Sequence, residues 1–201
     1  MIVMKFLTFT DVHENQEAIE KLVQRASKKD IQFTVCAGDI STFGRGLKKI
    51  LGKFNALKKT FYFIPGNHEE GIDLDDAAKE FSHCIPLHRK AVRLENYWFL
   101  GYGGGGFSQE DTEFRKLARQ WYGSYKGEKM VFVTHGPPAD TKVDLLQEHH
   151  VGSIDYRKFV ERIKPKLHIC GHLHETVGVT DKIGETKVVN PGLDGMVIEL
   201  K

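Results

Sequence analysis

Val3-Met4-Lys5-Phe6-Leu7-Thr8-Phe9-Thr10-Asp11-Val12-His13 opens with an apolar run and stops at an aspartate and a histidine. The run is short and rich in residues that favour strands, so residues 3–10 are expected to form a buried strand. The same phrase recurs along the chain. Residues 33–37 are expected to form a strand ending at Gly38-Asp39. Residues 60–64 form one ending at Pro65-Gly66-Asn67-His68-Glu69. Residues 129–134 run into His135-Gly136, and residues 167–170 into Gly171-His172-Leu173-His174. Helical stretches stand between these strands. Ala18, Ile19, Leu22, Val23 and Ala26 recur at helical spacing within 15–29, and further helices are expected over 47–57, 109–122 and 153–163. Residues 91–94, 97–101, 176–180, 186–190 and 196–200 read as additional short strands. Alternating strands and helices predict α/β architecture. In open α/β sheets ligands bind beyond the carboxyl ends of the strands, and here five such ends carry His, Asp or Asn.

The chain has 201 residues, which fits a single domain spanning 1–201. Hydrophobic residues make up 40% and charged residues 28%, the balance of a soluble globular protein able to bury a core. No apolar run approaches the ~20 residues that span a bilayer, so no membrane association is expected. The first residues lack a basic leader and a small-residue cleavage site, and they read as a strand and not as a signal peptide. Cys36, Cys84 and Cys170 form an odd, unpatterned set, which points to a reducing compartment and the cytoplasm. The formal charge of +2 is a weak electrostatic footprint for nucleic acid. Oligomeric state is not legible at this level.

The polar residues at the strand ends are Asp11, His13, Asp39, Asn67, His68, His135, His172 and His174. They include five of the chain's ten histidines, a concentration that scattered surface histidines would not show. Imidazole, carboxylate and amide donors together suit Mn, Fe, Co, Ni or Zn better than Ca or Mg. The set is too large for one tetrahedral ion and sufficient for two ions about 3.5–4 Å apart, joined by a bridging carboxylate. Such a pair lowers the pKa of bound water towards ~7 and neutralises charge on phosphoryl oxygens. A histidine beside the metals but not bound to them can protonate a leaving alkoxide.

The ordered phrases Asp11-x-His13, Gly38-Asp39, Gly66-Asn67-His68-Glu69, His135 and Gly171-His172-x-His174 resemble those of the calcineurin-like metallophosphoesterases. The resemblance runs from residue 11 to residue 174, nearly the whole chain. It implies a four-layer αββα sandwich of two mixed β-sheets flanked by helices. It implies that Asp11, His13 and His174 hold one divalent ion, that Asn67, His135 and His172 hold the other, and that Asp39 bridges both. Manganese is the favoured metal, with Fe, Zn, Ni or Co as alternatives. It further implies attack on a phosphate ester by a metal-bridging hydroxide, with His68 protonating the leaving group and Glu69 orienting His68. A phosphodiester is the favoured substrate, because the chain is close to a bare catalytic core with no large inserted cap. A phosphomonoester is the other option.

Several features admit two readings. Ser153 is a candidate helix cap or, with Arg157 and a helix N-terminus, a candidate phosphate contact. His149-His150 lie in a loop that could overhang the site, with His150 a candidate substrate contact. His168 alternates within a strand and reads as a core histidine. Gly101-Tyr102-Gly103-Gly104-Gly105-Gly106 matches a dinucleotide-binding pattern. However, the strand that follows ends at His135 with no acid to hold a ribose, so the loop is expected to approach the site instead. Two rival functions remain at this level: a metal-binding scaffold of the same fold, and a nuclease. The intact His68 argues against the first. The weak net charge and the lack of room for a recognition domain argue against the second.

Overall fold

The computed structural model describes residues 3–201. In chain order its elements are β1 Met4–Phe9, α1 Gln16–Ala26, β2 Phe33–Cys36, α2 Leu47–Asn55, β3 Phe61–Phe63 and α3 Leu74–Ala78. These are followed by β4 Cys84–Pro86, β5 Lys90–Leu94, β6 Tyr97–Tyr102, α4 Thr112–Tyr125, β7 Met130–Thr134, β8 Leu145–Leu146 and β9 His149–His150. The chain closes with α5 Ile154–Ile163, β10 Leu167–Ile169, β11 Thr180–Ile183, β12 Thr186–Val189 and β13 Met196–Leu200. One sheet has the order β13-β1-β2-β3-β4, and a second has the order β11-β12-β10-β7-β6-β5. Within the first, β1 to β4 run parallel and β13 pairs antiparallel at the edge. In the second, β12, β10, β7 and β6 are parallel, with antiparallel β11 and β5 at the two edges.

Alternation along each central strand feeds two different cores. Leu7 and Phe9 of β1 pack with Ile19 and Leu22 of α1 and Ile50, Leu51 and Phe54 of α2. Met4 and Phe6 of the same strand face the other sheet, where Phe99, Val131 and Ile169 meet them. On the far side Met130 and Phe132 of β7 pack under Phe114 and Trp121 of α4 and Phe159 and Val160 of α5. Three apolar layers between four structural ones make an αββα sandwich. They explain why the central strands are apolar throughout: each is buried on both faces.

Several local details differ from the sequence reading. Residues 176–180 do not form a strand. His174–Thr176 is a single 3-10 turn, and β11 starts only at Thr180. The helix expected over 109–122 runs from Thr112 to Tyr125, because Asp111 caps it by accepting from the Phe114 N–H at 2.9 Å. The short α3, β4 and the β8–β9 hairpin were not foreseen, since elements of two to five residues carry too little periodicity to register. His168 is fully buried, with Nε2 2.8 Å from Thr134 Oγ1 and its ring stacked on Phe132. Burial pushes it down to about 3, and it is a neutral core histidine. Cys36, Cys84 and Cys170 are free and buried. No described helix is long and apolar enough to cross a membrane.

Candidate metal centre

The carboxyl ends of β1, β2 and β3 in one sheet and of β7 and β10 in the other meet at one rim of the sandwich. Main-chain bonds tie four of these turns in two pairs. Asp11 N–H donates to Gly38 O at 3.1 Å, and Gly171 N–H donates to His135 O at 2.8 Å. Two carboxylates add cross-braces: Asp11 Oδ2 accepts from His172 N–H, and Asp39 Oδ1 accepts from His68 N–H, both at 2.9 Å. Each carboxylate keeps its other oxygen for the groove. All eight polar residues named from the strand ends are thereby brought together. Asp11, His13 and His174 converge, as do Asp11, Asp39 and His135, each trio with its donor atoms within 4.8 Å of one another.

Distances within the cluster suit a metal better than direct hydrogen bonding. His13 Nε2 lies 3.3 Å from His174 Nε2. Asp39 Oδ2 lies 3.6 Å from His13 Nε2 and 3.5 Å from His135 Nε2. Asp11 Oδ1 is 3.7 Å from His174 Nε2. Donors around one ion at bond lengths of about 2.1 Å stand about 3.0–3.5 Å apart. Among the described residues, buried Asp11 Oδ1 and His172 Nε2 have no hydrogen-bond partner. Such atoms are costly unless something satisfies them, and both are metal-ligand atoms in type. The residues present therefore fit a divalent ion.

Charge leads to the same conclusion. His135 is fully buried, and its Nδ1 meets the Ala37 carbonyl at 2.9 Å, which leaves Nε2 towards the cluster. There Nε2 faces Asn67 Oδ1 at 2.9 Å and Asp39 Oδ2, both acceptors. A proton or a metal ion at Nε2 makes both contacts favourable. Burial works against protonation, but Asp39 and Asp11 outweigh it and raise His135 to about 9. Burial would raise the Asp11 and Asp39 carboxyls, yet the neighbouring His174 and His135 hold both below the ordinary range. Burial instead pushes His172 down to about 4, which leaves it neutral with a free lone pair.

A prediction follows for metal uptake. At pH 7.5 binding is expected to release at least one proton per chain, because the metal replaces the His135 proton. Calorimetry in two buffers of different ionisation heat measures this, and a release near zero contradicts it. The unfolded value for His135 is about 6.5, below its folded value. Its contribution to the metal-free protein is therefore whole below about pH 6.5 and is lost as pH rises through 9.

Four site residues also have left-handed backbone. Asp11, His13, Asp39 and His172 all have positive φ, at 56°, 41°, 49° and 72°. Non-glycine residues in that region are uncommon, and their gathering at one rim marks a site where geometry is held against local preference. Gly66 and Gly171 are required for a different reason. A Cβ on Gly66 would run into the Asp39 carboxylate, and one on Gly171 would lie 2.5 Å from Asp11 Oδ2. Gly66→Ala is expected to cost about 1–3 kcal/mol of stability and to reduce bound metal, because Asp39 has to move. Thermal melts and metal analysis check this; a variant with both unchanged contradicts it.

Around the cluster, the groove lined by His13, Asp39, Asn67, His68, His172 and His174 has a volume of about 250 Å³. Phe107, Leu146, Leu173 and Glu175 complete its walls. The glycine loop does approach it, with Gly106 close to His172 and Asn67 and Phe107 edge-on to the His172 ring at 4.4 Å. Glu69 is not placed to orient the His68 ring. Its carboxylate accepts from Ser41 N–H at 2.8 Å, Ser41 Oγ–H at 2.6 Å and Gly66 N–H at 2.9 Å, and so braces two loops.

The three residues expected to contact substrate are not among those that line this groove. Ser153 caps α5 by accepting from Tyr156 N–H. Arg157 donates to Glu161 and to the carbonyls of Ala139 and Asp140. His150 is bonded to Asp144 at 2.8 Å. All three are engaged within the protein, and none lines the groove.

Imidazole and carboxylate donors gathered over the strand ends of a four-layer sandwich are the arrangement of one class of metal-dependent hydrolases. Within it the chain belongs to the calcineurin-like phosphoesterase family, whose sequence model matches residues 4–176, and it is a hydrolase acting on phosphate esters. A UPF0046 protein of Caenorhabditis elegans is 27% identical over 211 residues, covering 93% of this chain and 69% of that protein. Human metallophosphoesterase domain-containing protein 1 is 26% identical over 147 residues, covering 67% of this chain and 43% of that protein. The structure of TT1561 from Thermus thermophilus superposes with a TM-score of 0.77 at 15% identity, covering 96% of this chain and 91% of that one. A dimetal phosphatase from Danio rerio superposes with a TM-score of 0.66 at 11% identity, covering 94% and 88%. At these identities the two structural likenesses establish the fold.

Proposed function

We propose that the protein is a binuclear phosphodiesterase that takes phosphomonoesters as poorer substrates. The observation that supports it most strongly is the position of Asp39 Oδ2, 3.6 Å from His13 Nε2 and 3.5 Å from His135 Nε2, between two donor sets that each contain an orphaned buried atom. Asp11, His13 and His174 form the first set, Asn67, His135 and His172 the second, and Asp39 joins them. Two divalent ions, manganese by preference from the family resemblance, would there acidify a water and neutralise the phosphoryl oxygens. His135 is oriented by its Nδ1 contact with Ala37 O, which fixes the nitrogen it presents. His68 lies beside the cluster, its ring 4.6 Å from that of His13. It would give its proton to the leaving oxygen as a water oxygen bonds to phosphorus and the bond from phosphorus to the leaving oxygen breaks. The groove is open at His174 and walled in part by Phe107 and Leu146, and its volume of about 250 Å³ leaves room for a second ester substituent. Three buried free thiols fit a reducing compartment, the cytoplasm.

Metal-stripped protein reloaded with manganese should hydrolyse bis-p-nitrophenyl phosphate with a kcat/KM at least about tenfold above that for p-nitrophenyl phosphate, which is ~1.4 kcal/mol of discrimination. The reverse ratio makes the protein a monoesterase. No turnover of either ester with any divalent metal rejects the reading.

A further inference from the structure

We propose that Phe43 is a positioning residue for His68, its ring fixing the imidazole in the orientation from which it protonates the leaving group. This rests on the role of His68 given above. The His68 imidazole has an unusual support: its buried Nδ1 has no hydrogen-bond partner among the described residues. A histidine that moves protons is ordinarily held by a bond to its second nitrogen. Here rings do that work. Phe43 stacks on His68 with centroids 4.5 Å apart at 29°, and His13 meets it edge-on at 4.6 Å.

The local backbone is arranged to put Phe43 there. Thr42 and Arg45 bridge as a minimal hairpin, with Arg45 N–H donating to Thr42 O at 3.2 Å. The two residues between them, Phe43 and Gly44, have φ of 52° and 79°. Hairpin turns with both central residues left-handed favour Asn-Gly, and a bulky residue at the first position is an outlier that costs stability. Phe43 is nevertheless 75% exposed, so it contributes little to a core. Strain and exposure with no packing return fit a residue kept for the ring it covers. The hairpin is also tied to the turn that carries His68. Glu69 accepts from Ser41 N–H and Oγ–H, and Ser41 Oγ accepts from Gly44 N–H at 3.1 Å. This gives Glu69 a physical role: it locks the Phe43 hairpin against the segment bearing His68.

The test compares Phe43→Ala, Phe43→Asn and Phe43→Tyr with His68→Ala in the manganese-loaded protein, on aryl phosphodiesters whose leaving phenols range from p-nitrophenol to phenol. Proton donation matters most for the more basic leaving group. Phe43→Ala and Phe43→Asn should therefore lose kcat about tenfold or more with phenol and much less with p-nitrophenol, with KM within about threefold and metal content unchanged. Phe43→Tyr should restore kcat. Phe43→Asn should melt at the same temperature or higher, because asparagine suits the turn, so lost activity cannot be ascribed to lost stability. A rise in KM with kcat intact would make Phe43 a substrate contact and overturn the proposal. So would full activity in both variants. If His68→Ala shows no dependence on the leaving group, the role of His68 itself fails. If His68→Ala shows that dependence and the Phe43 variants do not, only the inference about Phe43 fails.

Discussion

Asp39→Asn is expected to lower kcat about a thousandfold or more, about 4 kcal/mol of transition-state stabilisation, while the protein stays folded. Asp39 has two jobs on two oxygens. Its Oδ1 accepts the His68 N–H at 2.9 Å and shapes the turn after β3. An asparagine oxygen can accept the same bond, so that turn is retained. Its Oδ2 stands between His13 Nε2 and His135 Nε2, where asparagine would place an N–H₂ donor. A donor there satisfies one imidazole and excludes a cation. Bound metal should fall from two ions per chain to one or none. Elemental analysis and steady-state kinetics read both effects. Two ions retained with near-normal kcat would show that Asp39 does not bridge.

His68→Ala should produce the second largest loss and a different signature. General acid catalysis contributes about 10²–10⁴-fold, so kcat with basic leaving groups should fall by that order. Metal content should stay at two ions, because His68 is not needed in either donor set. The loss should shrink towards unity as the leaving group becomes a good one. A variant that loses metal instead would make His68 a ligand, consistent with its place beside His13 and Asp39. A loss independent of the leaving group would assign it to substrate binding or charge stabilisation.

The five central strands and the long helices were legible in sequence because burial on both faces writes an apolar run and burial on one face writes a helical stripe. Phe6 and Leu7 point into different cores, and this is why the run around them does not alternate. Polar residues at the strand ends gave the site its members, and the structure gathers Asp11, His13, Asp39, Asn67, His68, His135, His172 and His174 on one rim. What sequence does not carry is the path of side chains between loops. Glu69 follows His68 directly, and adjacency suggested that one orients the other. In three dimensions its carboxylate reaches back to Ser41, 28 residues earlier. Phe43 was missed for a similar reason: a lone aromatic next to glycine in a loop has no periodicity, and only its φ of 52° and its stacking on His68 distinguish it. Ser153 carried a local signal that fitted two roles equally, and the Tyr156 N–H bond shows the cap.

Anomalous scattering from crystals grown with manganese would locate the ions directly. Two peaks about 3.5–4 Å apart are expected, one bounded by Asp11, His13 and His174, the other by Asn67, His135 and His172, with the Asp39 carboxylate touching both. One peak, or peaks elsewhere with this cluster bare at saturating manganese, would contradict a binuclear centre built from these residues.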